Sequence, residues 1–416
     1  MKKRIIIIGG GAAGFFGAIR CAELSPEAEV IILEAGKDVL SKVKISGGGR
    51  CNVTHACFVP KDLSKNYPRG ERELIGPFNR FCTGDTIEWF EKRGVPTKIE
   101  ADGRMFPATN KSQSIVDCLQ ESAHKAGVKV LLQQRVHQLE PPAEGRAHWL
   151  VHTKTHSYPA DAVLMATGSS PAAWKLLAGL GHQIVDPVPS LFTFNIKDPR
   201  IEGLPGISVP KAEIKVQGSK LSAAGPLLIT HWGMSGPAIL RLSAWGAREL
   251  AGRKYQFTIH VNWVNRHVEG VREELEQLGR ENPKKQPYAT PQFGLPIRLW
   301  RSLLGYAGIP EQARWAELSK KAMNRLTEEL TQGNYTVNGK STFKEEFVTA
   351  GGVDLKEVDF KTFQSKLLPG LFFAGEVLNI DAITGGFNFQ AAWTGGWIAG
   401  GALNGFGLWT FWEMPF

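Results

Sequence analysis

Gly9, Gly11 and Gly14 follow directly on four isoleucines, Ile5 to Ile8, with Ala12 and Ala13 between the last two glycines. A carboxylate, Glu34, closes the next apolar run, Val30-Ile31-Ile32-Leu33, and lies 20 residues beyond Gly14. Strand, glycine turn, helix and acid in this order can hold a dinucleotide. Gly9 permits the tight turn, Gly11 lets backbone N–H groups approach a pyrophosphate, and Gly14 lets the helix pack closely on the sheet. The helix N-terminus favours the phosphate charge. Glu34, followed by Ala35, accepts from ribose hydroxyls and disfavours a 2′-phosphate, so the pattern selects the AMP half of FAD or NAD over NADP.

A second glycine-rich turn lies near the other end of the chain. Gly375-Glu376 is followed by Asp381, by Gly385-Gly386-Phe387-Asn388 and by small residues from Ala391 to Gly400. This layout aims a helix N-terminus at a group that gains negative charge on reduction, as the N1–O2 side of a flavin does. Gly385 and Gly386 admit the backbone, Asn388 caps or donates, and Asp381 suits a ribityl chain. Between the two turns, 161–168 reads as a buried parallel strand ending in Thr167-Gly168, the form that returns beneath the cofactor in flavoproteins. The two turns together favour FAD over NAD.

Lys44-Ile45-Ser46-Gly47-Gly48-Gly49-Arg50-Cys51-Asn52 offers backbone N–H groups and a guanidinium to a pyrophosphate and a flavin edge. Cys51 can supply a proton; His231 and Arg104 are alternatives for protonation or for an anionic substrate, and each also has a plain packing role. Trp232, Trp245 and Trp263 can stack flat rings, although most tryptophans are core residues. No second fingerprint follows a strand, so NAD(P)H is expected only as a transient hydride donor.

The elements that must position these groups belong to more than one domain, since 416 residues exceed one ordinary core. Residues 1–190 read as the first part of a cofactor-binding domain and 347–416 as its second part. Within the first part, helices are expected over 83–93 and 112–126, and strands over 128–132, 135–139 and 149–153. Residues 191–346 read as an insert. Short β runs at 191–196, 212–216, 227–229 and 255–261 suggest a small barrel or sandwich over 191–262, rejoined at 331–346 with a return to β structure at 336–343. Residues 263–330 are helix-patterned, most clearly at 271–278 and 312–330.

No apolar run approaches the roughly 20 residues that span a bilayer, and the chain reads as cytoplasmic. Five cysteines without CxxC spacing point to reduced thiols and no metal site. Of the net charge of +9, an excess of +7 falls in 191–346, with 22 Lys and Arg against 15 Asp and Glu, among them Lys211, Lys215, Lys220 and Arg253. Nucleic acid is the leading anionic partner, against a solvated surface with a positive bias.

Taken with Gly103-Arg104-Met105-Phe106-Pro107, Thr230-His231-Trp232-Gly233-Met234-Ser235-Gly236-Pro237, Thr349-Ala350-Gly351-Gly352-Val353 and Ser365-Lys366-Leu367-Leu368-Pro369-Gly370, these motifs closely resemble the YhiN/BaiN flavoprotein family, also labelled aminoacetone-oxidase-type, over nearly the whole chain. Members often show Asp where this chain has Asn379. The resemblance implies an α/β fold: a doubly wound, Rossmann-type FAD-binding domain interrupted by an insert with a β-barrel and a helical part. It counts Val136 among the cofactor contacts. It also implies reduction of a conjugated carbon–carbon double bond, in steroid-like enones or in ribosomal-RNA uridine, with a hydride to one carbon and a proton to the other. The basic insert favours ribosomal RNA. A small-molecule enone reductase or amine oxidase of the same fold, and a flavin-bearing nucleic-acid-binding protein without turnover, are the competing readings.

Overall fold

Residues 5–8, 30–33 and 162–165 are apolar without alternation, as strands covered on both faces are. In the computed structural model, which describes residues 2–341 and 348–405, they lie side by side. Arg4–Ile8 pairs in parallel with Glu29–Leu33 and with Ala162–Met165, Ile6 standing opposite Ile31 and Val163. Lys129–Leu131 extends this sheet on one side and Leu371–Phe373 on the other, beyond which Gln364–Ser365 and Val358–Asp359 form an antiparallel edge. Ile5, Ile6 and Ile7 are fully buried.

Two helices from opposite ends of the chain meet over this sheet. Ala12–Leu24 packs along Phe387–Gly405, and small residues set the separation. A Cβ on Gly396 would stand 2.7 Å from the Ala13 carbonyl oxygen, and one on Gly400 would stand 2.4 Å from that of Gly17. Phe16 fills the adjoining space against Trp393 and Trp397, with ring centroids 5.2 and 6.2 Å away. Two smaller antiparallel sheets complete the layer: Thr54–His55, Arg104–Pro107 and Thr97–Ile99 form one, and Val136–Glu140, Trp149–Thr153 and Ser157–Ala160 the other.

The described residues divide into two compact units, those in Met1–Val188 with Val348–Phe416 and those in Pro189–Phe347. The second unit is built on a seven-stranded antiparallel sheet in the order Gly333–Asn338, Gln256–Asn262, Ser208–Val216, Ser222–Thr230, Gly233–Ser235, Thr193–Asn195 and Lys340–Ser341. Its two outermost strands are separated in the chain by Gly339 alone, so the sheet curls until its edges adjoin. Ile214, Ile229, Ile259 and Val261 point inward, and Val268–Glu281, Ile297–Tyr306 and Lys320–Gln332 cover that core. Arg200 is almost fully buried there; it pairs with Asp198 at 2.7 Å and Glu329 at 2.6 Å, and its guanidinium lies 3.8 Å over the Tyr335 ring.

Three local expectations change. The helix expected over 312–330 begins only after Ser319, whose hydroxyl accepts from the Ala322 N–H and caps it; ahead of it stands a single turn, Trp315–Glu317. Ile297–Tyr306 is a helix that the sequence reading did not single out, because Pro296 and nearby glycines obscure its start. The glycine-rich segment at 44–52 likewise starts within a helical stretch, running from Ser41, that breaks at Ser46. Residues 342–347 and 406–416, the last parts of the expected return to β structure and of the C-terminal segment, lie outside the described residues.

The helix pair yields a direct test. Gly400→Val is expected to destabilise the protein by about 1–3 kcal/mol, the usual range for overpacking. An unaltered thermal unfolding midpoint would mean that the two helices do not touch there.

Candidate flavin site

The first helix begins at Gly11 with no side-chain cap and no acidic residue in its first turn, so among the described residues no side chain caps its N–H groups. A Cβ placed on Gly11, Gly48 or Gly49 would meet nothing within 4 Å, which leaves open space above both glycine segments. Glu34 stands beside them, oriented by two backbone donors: the Gly10 N–H reaches Oε2 at 2.8 Å and the Gly36 N–H reaches Oε1 at 2.6 Å. Ala35 is exposed between them. The Gln134 N–H donates to the Glu34 carbonyl at 2.8 Å and brings the segment leading to Val136 alongside. Thr167 Oγ1 is buried without a partner, and Gly168 next to it has φ +59. An open glycine cradle, an oriented carboxylate and an unsatisfied hydroxyl fit the AMP and pyrophosphate portions of FAD.

The C-terminal turn is fastened to the same unit. Gly375 lies against the first helix, its Cβ position 3.1 Å from the Ala13 methyl. Gly386, at φ +93, must be glycine, since a Cβ would fall 2.5 Å from the Thr54 carbonyl oxygen. The Asn52 side chain accepts from the Gly386 N–H at 3.0 Å while its amide nitrogen donates to the Met105 and Thr54 carbonyls. Tyr67 donates to the Phe387 carbonyl at 2.6 Å. Lys42 pairs with Glu376 at 2.6 Å and ties the segment before Lys44 to this turn. The Ser112 hydroxyl donates to the Lys44 carbonyl at 2.6 Å. Two residues expected to contact the cofactor also have partners within the protein. Asp381 is fully buried in an ion pair with Arg69, and Asn388 brackets the backbone of Ala382, accepting from its N–H and donating to its carbonyl.

The residues expected to carry chemistry are placed unevenly. Cys51 is fully buried at φ +58, its N–H donating to the Ser46 carbonyl at 2.9 Å. Burial pushes its thiol up to about 12, so it keeps its proton at neutral pH, enclosed beneath the loop. Arg50 pairs with Glu100 at 2.6 Å and lies 3.9 Å over the Phe106 ring. Arg104 donates to Asp102 at 2.7 Å and stays partly exposed. His231 belongs to the second unit, exposed in a hairpin loop beside Trp232. Trp263 is a core residue, donating to the Tyr335 hydroxyl at 3.1 Å, whereas Trp232 and Trp245 are exposed.

His55 went unnoticed in the sequence. Its ring stacks on Phe387 at 4.6 Å and 19°, and its Nε2 lies 3.2 Å from the Asp102 carbonyl oxygen. A carbonyl only accepts, so Nε2 carries the proton; Nδ1 is buried without a partner and is bare. Burial holds the ring's pKa below the usual value. A lone histidine after Val53-Thr54 sends no signal in a sequence, because only the fold brings residues 55, 102 and 387 together.

Fold and cradle define an FAD-dependent oxidoreductase. The model of the HI0933-like protein Rossmann domain matches residues 3–402, and the chain belongs to that family. It is 29% identical over 404 residues to the ribosomal RNA dihydrouridine synthase of Haemophilus influenzae, covering 94% of this chain and 95% of that one. It is 28% identical over 414 residues to the 3-dehydro-bile acid delta(4,6)-reductase of Clostridium scindens, covering 96% and 98%. Among solved structures, a flavocytochrome c3 fumarate reductase in its open conformation has a TM-score of 0.51 at 16% identity, covering 98% of this chain and 78% of that one. The 3-ketosteroid delta1-dehydrogenase of Sterolibacterium denitrificans has a TM-score of 0.51 at 11% identity, covering 96% and 99%. These two likenesses concern the fold.

Two outcomes are expected. Denaturation should release FAD and not FMN, and Glu34→Ala should weaken FAD retention by about 1–3 kcal/mol, the typical cost of losing a hydrogen bond to a charged group; cofactor titration of the variant checks this. For His55, the unfolded chain takes up a proton more readily than the folded one. Stability is therefore unaffected by this group above the ordinary imidazole value of 6.5 and falls as pH drops below it. Denaturation midpoints measured from about pH 8 down to 5 should show that loss, and it should be smaller in His55→Phe.

Proposed function

We propose that the protein reduces a conjugated carbon–carbon double bond with FAD, using NAD(P)H as a transient reductant and uridine in ribosomal RNA as substrate. The observation that carries this reading is the packing of the fingerprint helix against the helix of the C-terminal turn, which puts two glycine-rich segments from opposite ends of the chain into one unit. When bound, FAD supplies hydride transfer. Glu34 and the glycine segments bind it. The helix start at Phe387 offers backbone N–H groups and a positive dipole end to developing negative charge. Arg104, partly exposed and paired with Asp102 and Glu100, would have to exchange those partners to meet an anionic substrate.

The charge of the second unit and the dihydrouridine synthase relatives support RNA. Not all of that charge is free. Lys215 pairs with Glu213 at 3.1 Å and Arg253 with Glu249 at 2.7 Å, whereas Lys211 and Lys220 have no ion-pair partner among the described residues. The bile acid reductase relative, similar to the same degree, favours a second reading, a small-molecule enone reductase.

Mass spectrometry of ribosomal RNA from a strain lacking the gene should show one dihydrouridine lost. Binding of RNA by the purified protein should weaken steeply with salt, and Lys211→Glu with Lys220→Glu should flatten that dependence while leaving the flavin spectrum intact. Unchanged ribosomal RNA together with salt-independent binding would favour the small-molecule reading.

A further inference from the structure

The 230–237 motif lies in the second unit, and its geometry is specific. Ser222–Thr230 turns back into Gly233–Ser235 through a loop of two residues, His231 and Trp232. Gly233 has φ +145, and a Cβ there would stand 2.2 Å from the Phe194 carbonyl oxygen, so the loop is pressed against the neighbouring strand. That strand holds it further: Asn195 lies opposite Gly233, and the Ile196 N–H donates to the Trp232 carbonyl at 2.9 Å. The Trp232 N–H donates to Thr230 Oγ1 at 3.3 Å. A backbone fixed on both sides thus presents an indole that is 60% exposed. Burial accounts for Trp263 in this unit and does not account for Trp232.

Beside the loop the one acid, Asp198, is taken up by Arg200 at 2.7 Å. Lys197 follows Ile196, just past the end of the Thr193–Asn195 strand; it is exposed and has no ion-pair partner among the described residues. From 221 to 240 the chain contains no Asp or Glu. A rigid, exposed aromatic face next to an unpaired ammonium is the arrangement on which single-stranded nucleic acids dock, a base stacking on the ring and a phosphate meeting the cation.

We infer that the His231-Trp232 hairpin loop is a contact for single-stranded RNA, with Trp232 stacking one base and Lys197 meeting an adjacent phosphate. This rests on the RNA reading proposed above and names the surface that serves it. Trp232 is a specificity residue in this inference, the one that touches substrate RNA.

The experiment uses the full-length holoprotein and a fluorescein-labelled, uridine-rich single-stranded RNA of about 12 nucleotides, a length within the usual site sizes. Anisotropy titrations are run at several salt concentrations, with the flavin spectrum as the check on folding. Trp232→Ala should weaken binding by about 5- to 100-fold at every salt concentration, and Trp232→Phe should restore most of it. Lys197→Ala should lower the salt slope by about 0.7, the value for one phosphate on a single strand. Wild-type protein that binds the RNA with salt dependence, together with a Trp232→Ala variant of equal affinity, would overturn the inference and leave the RNA reading standing. Wild-type protein with no salt-dependent binding would overturn both.

Discussion

Contact between the backbones of the first and last described helices is the constraint on which the flavin unit depends. Hydrophobic burial alone does not specify that separation, since any pair of apolar helix faces would bury surface. The glycines do. With Gly17 facing Gly400 and Ala13 facing Gly396, the axes come closer than branched side chains would allow, and the start of the first helix is set against the middle of the last. Parallel strands supply the platform, because each ends at the same edge and delivers its turn there.

Around that platform, polar groups are spent on holding turns. Asp381 goes to Arg69, Asn388 to its own turn, Asn52 to Gly386, and Tyr67 to the first carbonyl of the last helix. Each removes an alternative conformation from a glycine-rich segment that would otherwise sample many. The result is a cradle whose own N–H groups stay unclaimed by side chains at Gly11. Preorganisation of this kind lowers the cost of ordering the site when a cofactor arrives.

Much of this was legible in the residues. The isoleucine run, the glycine spacing and Glu34 defined the first βαβ unit because each role rests on local geometry. Ala162–Met165 was recognisable as a buried strand for the same reason. What stayed hidden depends on contacts far apart in sequence. His55 meets Asp102 across a hairpin and Phe387 from the far end of the chain. Cys51 stands in a glycine-rich segment that reads as open, and only the fold shows that it is fully enclosed. Helix boundaries in the insert followed a single hydroxyl, that of Ser319, more than the periodicity around it.

The position of the second unit within the chain bears on how the protein is made. Residues 189–347 are continuous and own their hydrophobic core, so this unit can complete its folding while the remainder is still being synthesised. The flavin unit cannot. Its strand Leu371–Phe373 and its helix Phe387–Gly405 emerge last, and until they do Ala162–Met165 exposes an unpaired edge and the first helix an uncovered glycine face. The half-built unit is therefore the aggregation-prone species of this protein, and truncations near its C-terminus should act chiefly by prolonging that stage on the ribosome.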